Sequence, residues 1–128
     1  MNVTHLLIVG AGGAIGAIGR YMVVALTTNL LGNKFPWGTF VVNLIGSFLL
    51  GVAFVIVLEK LHGQAELRSL VMVGFLGAFT TFSTFSLEVF SLFHSGHVIS
   101  AMAYILMSVI LCVLATGLAV TLTRLLIQ

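Results

Sequence analysis

Charge is what this 128-residue chain has least of: five Lys and Arg and three Glu make up 6% of the sequence, against 60% hydrophobic residues. A soluble domain of this size has too much surface to be covered by so few charges, so the bilayer is the natural solvent. The basic residues are scattered and form no run that could follow a phosphate backbone, which argues against nucleic acid as a partner. Cys112 is the sole cysteine, which excludes an intramolecular disulfide and a thiolate metal cluster. The four histidines fall at ends and loops, and no pair has the setting of a metal site. No Lys or Arg precedes the first apolar run, which continues through Arg20 without a peptidase site. That segment is therefore expected to stay in the membrane as a span.

What is present is long apolar segments. A spanning helix needs roughly 20 apolar residues, so a chain this short holds about four spans and little else. The runs and their breaks place spans near 6–27, 37–58, 69–93 and 98–122, in a single transmembrane domain over 1–128. The expected fold is an all-α integral membrane protein with short loops. An even span count puts both termini and the second loop on one side, with Lys60, Arg68 and Arg124, and leaves Lys34 on the other. This three-to-one count is a slight vote for termini inside, and so slight a bias permits insertion both ways. Four short helices scarcely enclose an aqueous path alone, so the polar residues inside the spans imply an oligomer. The glycines agree with an oligomer, since Gly12 and Gly16 have the small-xxx-small spacing that lets helix backbones approach closely.

The stretch LLIVGAGGAIGAIGR superficially resembles a dinucleotide-binding glycine turn. That fold needs an acidic residue about 20 positions later and alternating strands and helices. The first acidic residue here is Glu59, so membrane packing is the better account of these glycines.

In the second span Thr39, Asn43 and Ser47 recur at intervals of four and should stack as one polar stripe. A carboxamide in hydrocarbon is costly, so Asn43 either bonds to a neighbouring helix or faces water and an ion. The third span contains GFLGAFTTFSTFS, where Thr80, Thr81, Ser83, Thr84 and Ser86 crowd an apolar segment beside Gly77. Hydroxyls at that density can replace backbone partners around a break, which is tolerated at membrane depth only in protein or at a cavity. A regular helix with hydroxyls bonded to its own carbonyls is the plainer alternative. Phe82 and Phe85 would share a face if the helix resumes there. Phenylalanines in spans usually just pack, but their ring edges carry the positive end of the quadrupole and offer an anion a moderate attraction. In the fourth span Ser100, Tyr104, Ser108, Cys112 and Thr116 form a track at intervals of four, a row of donors suited to a small hydrated anion. Arg20 either snorkels to the interface or gives positive potential to a vestibule, and Glu88 should accept hydroxyl hydrogen bonds or cap a helix end.

With WGT and VNLIGSF over 37–48 and GFLGAFTTFSTFSLEV over 74–89, the chain resembles the Fluc family of bacterial fluoride channels along essentially its whole length. The resemblance implies an antiparallel, dual-topology homodimer in the bacterial inner membrane, embedded in lipid. It implies two pores that passively export fluoride from the cytoplasm and so give fluoride resistance. By motif position, Phe82 and Phe85 would line the pores with their ring edges, Asn43 would be a pore-lining amide, and Ser83 and Thr84 nearby hydroxyls. Thr39 would stand with these, while Tyr104, Ser108 and Thr116 would belong to the track and Arg20 to an electropositive vestibule. Gly77 and Thr80, at a mid-membrane break, would hold a structural sodium ion at the dimer centre through backbone carbonyls, oxygen donors suited to a hard cation. Cys112 departs from the serine expected in the track, and a thiol is a weaker donor. Two rivals remain. A small proton-coupled drug exporter would need a titratable carboxylate in its first span, and none is there. A noncatalytic membrane subunit would use these polar residues only to hold helices together. An enzyme is not expected, since no nucleophile, base and orienting group can be assembled from these spans.

Overall fold

The computed structural model describes all 128 residues, and all of its regular secondary structure is helical. Four segments are long and apolar enough to cross a membrane: Val3–Leu31, Trp37–Lys60, Ala65–His94 and Val98–Ile127. Their helical bounds run past the apolar runs at most ends because polar residues cap or continue the helices. Thus α1 (Val3–Leu31) begins where the Asn2 side chain accepts the Thr4 N–H at 2.8 Å. It ends at Gly32, whose φ of +82° suits a residue without a Cβ and whose N–H reaches the Thr28 carbonyl. The second helix, α2 (Trp37–Lys60), starts after Pro36, where a missing N–H costs no helical bond. The third segment comprises α3 (65–79) and α4 (Ser83–His94), and the fourth is α5 (Val98–Ile127). Two stretches, Phe54–Lys60 and Arg68–Leu76, are wound as π-helix.

The packing follows the small residues. Helix α1 lies along α3, where Gly12 and Gly16 are buried. A Cβ on Gly12 would collide with the Leu70 carbonyl oxygen, and one on Gly16 with the Phe75 carbonyl oxygen. From the other side Gly74 meets the backbone of Val9 and Gly12. Helix α2 also packs on α1 and, most extensively, on α5, where Gly51 sits against the backbone of Thr116.

Two apolar clusters stand at opposite ends of α2. One joins Phe40, Phe85, Leu92, Ala101 and Tyr104, with Phe35 and Trp37 against it. The other joins Ala53, Val57 and Leu76, with Met72 and Phe75 alongside. Between them, the α2 positions Asn43, Gly46, Ser47 and Leu50 face a cavity. At the foot of α2 and α5, Arg124 forms a two-pronged ion pair with Glu59, at 2.6 and 3.0 Å, and lies over the Phe54 ring.

Candidate functional site

The helical path of the third segment is interrupted at residues 80–82, and Thr80 takes extended backbone (φ −88°, ψ 160°). Such an interruption leaves carbonyls at the end of α3 and N–H groups at the start of α4 without helical partners. Side chains supply them. The Asn43 carboxamide accepts the Thr81 N–H at 2.8 Å and donates to the Thr81 carbonyl at 3.0 Å, a reciprocal clamp across 38 residues of sequence. The Thr81 hydroxyl accepts the Thr84 N–H at 3.2 Å, in the manner of a helix cap. Arg20 Nε donates to the Ala78 carbonyl at 3.1 Å, placing a cation at the negative end of α3. Thr80 and Ser86 bond back to the carbonyls of Leu76 and Phe82, each four residues earlier. The plain reading of self-satisfied hydroxyls therefore describes those two positions but not Thr81.

These bonds free two carbonyls. In an uninterrupted helix the Gly77 carbonyl accepts from Thr81 N–H and the Thr80 carbonyl from Thr84 N–H. Here the first N–H goes to Asn43 and the second to the Thr81 hydroxyl, so both oxygens leave the helical ladder.

A cavity of about 380 Å³ adjoins the interruption, walled by Asn43, Ser47, Gly77, Thr80, Thr81, Phe82, Phe85, Ser108 and Cys112 together with aliphatic side chains and Met72. Phe82 and Phe85 both reach it, with ring centroids 5.5 Å apart and planes at 43°. They differ in setting: Phe85 is buried, whereas Phe82 is 76% exposed. Ser108 is 7% exposed and its hydroxyl is buried without a hydrogen-bond partner.

A second cavity, of about 270 Å³, is lined by Arg20, Tyr21, Thr39, Thr81, Thr84 and Glu88 among others. Thr81 belongs to both walls. The Glu88 carboxylate accepts the Thr39 hydroxyl at 3.1 Å and the Tyr104 hydroxyl at 2.9 Å. Glu88 thus accepts hydroxyl bonds, as its position suggested, and Tyr104 is fully buried with its O–H committed to it.

The expected track along the fourth span divides. Tyr104 turns to Glu88, Ser108 and Cys112 face the larger cavity, and Thr116 donates to the carbonyls of Ser47 and Cys112 at 2.9 and 3.2 Å. Positions four apart advance by about 40° beyond a full turn on a 3.6-residue helix, so three such steps swing the row well off one face. On α2, Thr39 bonds to α4 and Asn43 to the interruption, while Asn43 and Ser47 line the same cavity. Ser83 is exposed and lines none of these cavities, and Thr84 belongs to the Arg20 cavity. Thr81, the hinge of this arrangement, was visible in the sequence only as one hydroxyl among five.

The family described as CrcB-like protein, Camphor Resistance (CrcB), matches residues 7–120. A protein of Hahella chejuensis named fluoride-specific ion channel FluC is 63% identical over 127 residues, covering 99% of this chain and all of its own. A protein of the same name from Magnetococcus marinus is 50% identical over 117 residues, 91% of this chain and 95% of its own. Another, from Coxiella burnetii, is 43% identical over 121 residues, 94% and 98% of the two chains. With four membrane-capable helices and a match that covers nearly all of them, this multi-pass membrane protein belongs to the CrcB, or Fluc, family.

Proposed function

We propose that the chain is a fluoride-selective channel that lets fluoride leave the cytoplasm passively across the bacterial inner membrane and so confers fluoride resistance. Members of its family are ion channels, not enzymes. The observation that carries the reading is the larger cavity, where the rings of Phe82 and Phe85 stand beside the unpartnered Ser108 hydroxyl. Fluoride is small and strongly hydrated, so a path for it must offer donors in place of water. A path must also let the ion go, which favours weak polar edges over full positive charge. Ser108 offers an unused O–H, the ring edges a moderate attraction, and Asn43 a second amide N–H beyond the one given to Thr81. Arg20, in the adjoining cavity that shares Thr81, supplies positive potential against the Glu88 carboxylate, whose own charge is offset by two hydroxyl donors.

The reading includes an antiparallel homodimer of dual-topology subunits with two such paths. The exposure of Phe82 on a cavity wall supports it, since a second copy would cover a face that one chain leaves open. A sodium ion at the dimer centre suits the donor set. The released carbonyls of Gly77 and Thr80 are hard oxygen ligands, and two from each copy would hold a hard monovalent cation. Such an ion would neutralise the dipoles of two facing helix ends and fix the copies together. The test is fluoride efflux from liposomes carrying Phe82→Ile or Phe85→Ile. Each variant should assemble normally and lose most of its flux, and unchanged flux in both would remove the ring edges from the path. Replacing sodium by a larger cation should weaken assembly, and indifference to that exchange would remove the central ion.

A further inference from the structure

The larger cavity shares Thr81 with the Arg20 cavity, and that cavity shares Val24, Thr39 and Glu88 with a third. The third cavity, of about 210 Å³, lies against the loop that joins α1 to α2 and is lined there by Asn33 and Lys34, both exposed. We propose that Lys34 is the cation at the mouth of the fluoride path, where it draws fluoride from solution and offsets the repulsion of Glu88. The proposal rests on the channel reading of these cavities and adds where the path meets solvent and which charge serves it.

Three observations on this wall support it. The Glu88 carboxylate accepts one hydroxyl bond on each oxygen, from Thr39 and Tyr104, but no cation pairs with it, so an anion moving along this wall meets its charge. Lys34 is the one basic residue on the same cavity and enters no ion pair, which leaves its charge free to act on the space. Gly38 and Thr39, in the first turn of α2, also line the cavity, and their N–H groups have no acceptor within the chain, so the helix end adds positive potential beside the ammonium. An exposed lysine attracts a small anion without holding it, as a conducting path requires. Clefts that carry charge at their mouths raise the local concentration of the opposite ion, and salt screens the effect.

The full-length protein and its Lys34→Gln, Lys34→Glu and Lys34→Arg variants are reconstituted in liposomes. Fluoride efflux is measured at ionic strengths of about 10 mM and about 1 M, set with potassium glutamate, between which the Debye length falls from about 30 Å to about 3 Å. Each rate is read as a ratio to wild type at the same salt. At low salt Lys34→Gln should lose about fivefold, the order expected for one unit charge close to an ion in water. Lys34→Glu should lose more, Lys34→Arg should keep the wild-type rate, and all four should converge at high salt. Wild-type rates in Lys34→Gln and Lys34→Glu at low salt overturn the mouth at Lys34 and leave the channel reading standing. A loss that high salt does not reduce gives Lys34 a structural role and overturns the proposal as well. If wild type carries no fluoride, the channel reading itself fails and the proposal falls with it.

Discussion

Gly16 and Asn43 both bring a helix against the third segment, by opposite means. At the α1–α3 seam the contact is made by leaving side chains out: Gly12, Gly16 and Gly74 let backbone touch backbone. At the interruption it is made by polar side chains that take over backbone hydrogen bonds, with Asn43 clamping Thr81 and Arg20 reaching Ala78. The first seam is made of glycine backbone contacts, with a side-chain hydrogen bond across it between His5 and Ser69 at 3.2 Å. The second leaves two carbonyls outside the helical ladder, an unpartnered Ser108 hydroxyl and an open space between two apolar clusters. A segment that only needed to pack would repeat the glycine solution along its length. The costlier polar solution marks where the chain does something other than pack.

The comparison breaks most visibly at the glycine seam. Gly16→Val drives a branched side chain into the Phe75 carbonyl, which belongs to a backbone that has no room to retreat. A loss of about 3 kcal/mol or more is expected, read as a lowered melting temperature or as no monodisperse protein in detergent. A stable Gly16→Val protein would mean that α1 and α3 are held apart.

Asn43→Asp sharpens the other side. The carboxylate can still accept the Thr81 N–H but cannot donate to the Thr81 carbonyl, which costs about 1–3 kcal/mol for the group left unpaired. Fluoride flux should stop, because a negative charge then stands on the cavity wall. A folded, fully active variant would take the Asn43 amide off the ion path.

Thr116→Val tests a bond away from the cavity. It removes the donor to the Ser47 carbonyl and keeps the shape, so a loss of about 0.6 kcal/mol with flux retained is expected. Loss of flux without loss of stability would return Thr116 to the path. Glu59→Ala should have the smallest effect. Its ion pair with Arg124 is exposed at the helix ends, and no measurable change in melting temperature is expected at physiological salt.

Much of this was legible beforehand. The four segments follow from apolar run length alone, and a close helix contact at Gly12 and Gly16 from their spacing of four, although they were read in support of an oligomer and the contact lies within one chain. The crowd of hydroxyls at 80–86 overlaps the non-helical residues 80–82. Individual roles were less legible. Intervals of four suggested continuous stripes, but helical rotation turns Thr39 to Glu88 while Asn43 and Ser47 share the larger cavity, and it separates Tyr104 from Thr116. The expected choices for Arg20, snorkelling or a vestibule, omitted the Ala78 carbonyl, because a helix end inside a span is known only once the chain is folded. The π-helical windings at Phe54–Lys60 and Arg68–Leu76 left no mark in the apolar pattern.

The central claim is that the space beside the interruption carries fluoride. It is tested most directly by loading liposomes that contain the purified protein with potassium fluoride, or with potassium chloride in a parallel sample, and adding a potassium ionophore. Rapid fluoride release with negligible chloride release is expected. Release of neither ion from properly assembled protein, or of both at similar rates, would contradict it.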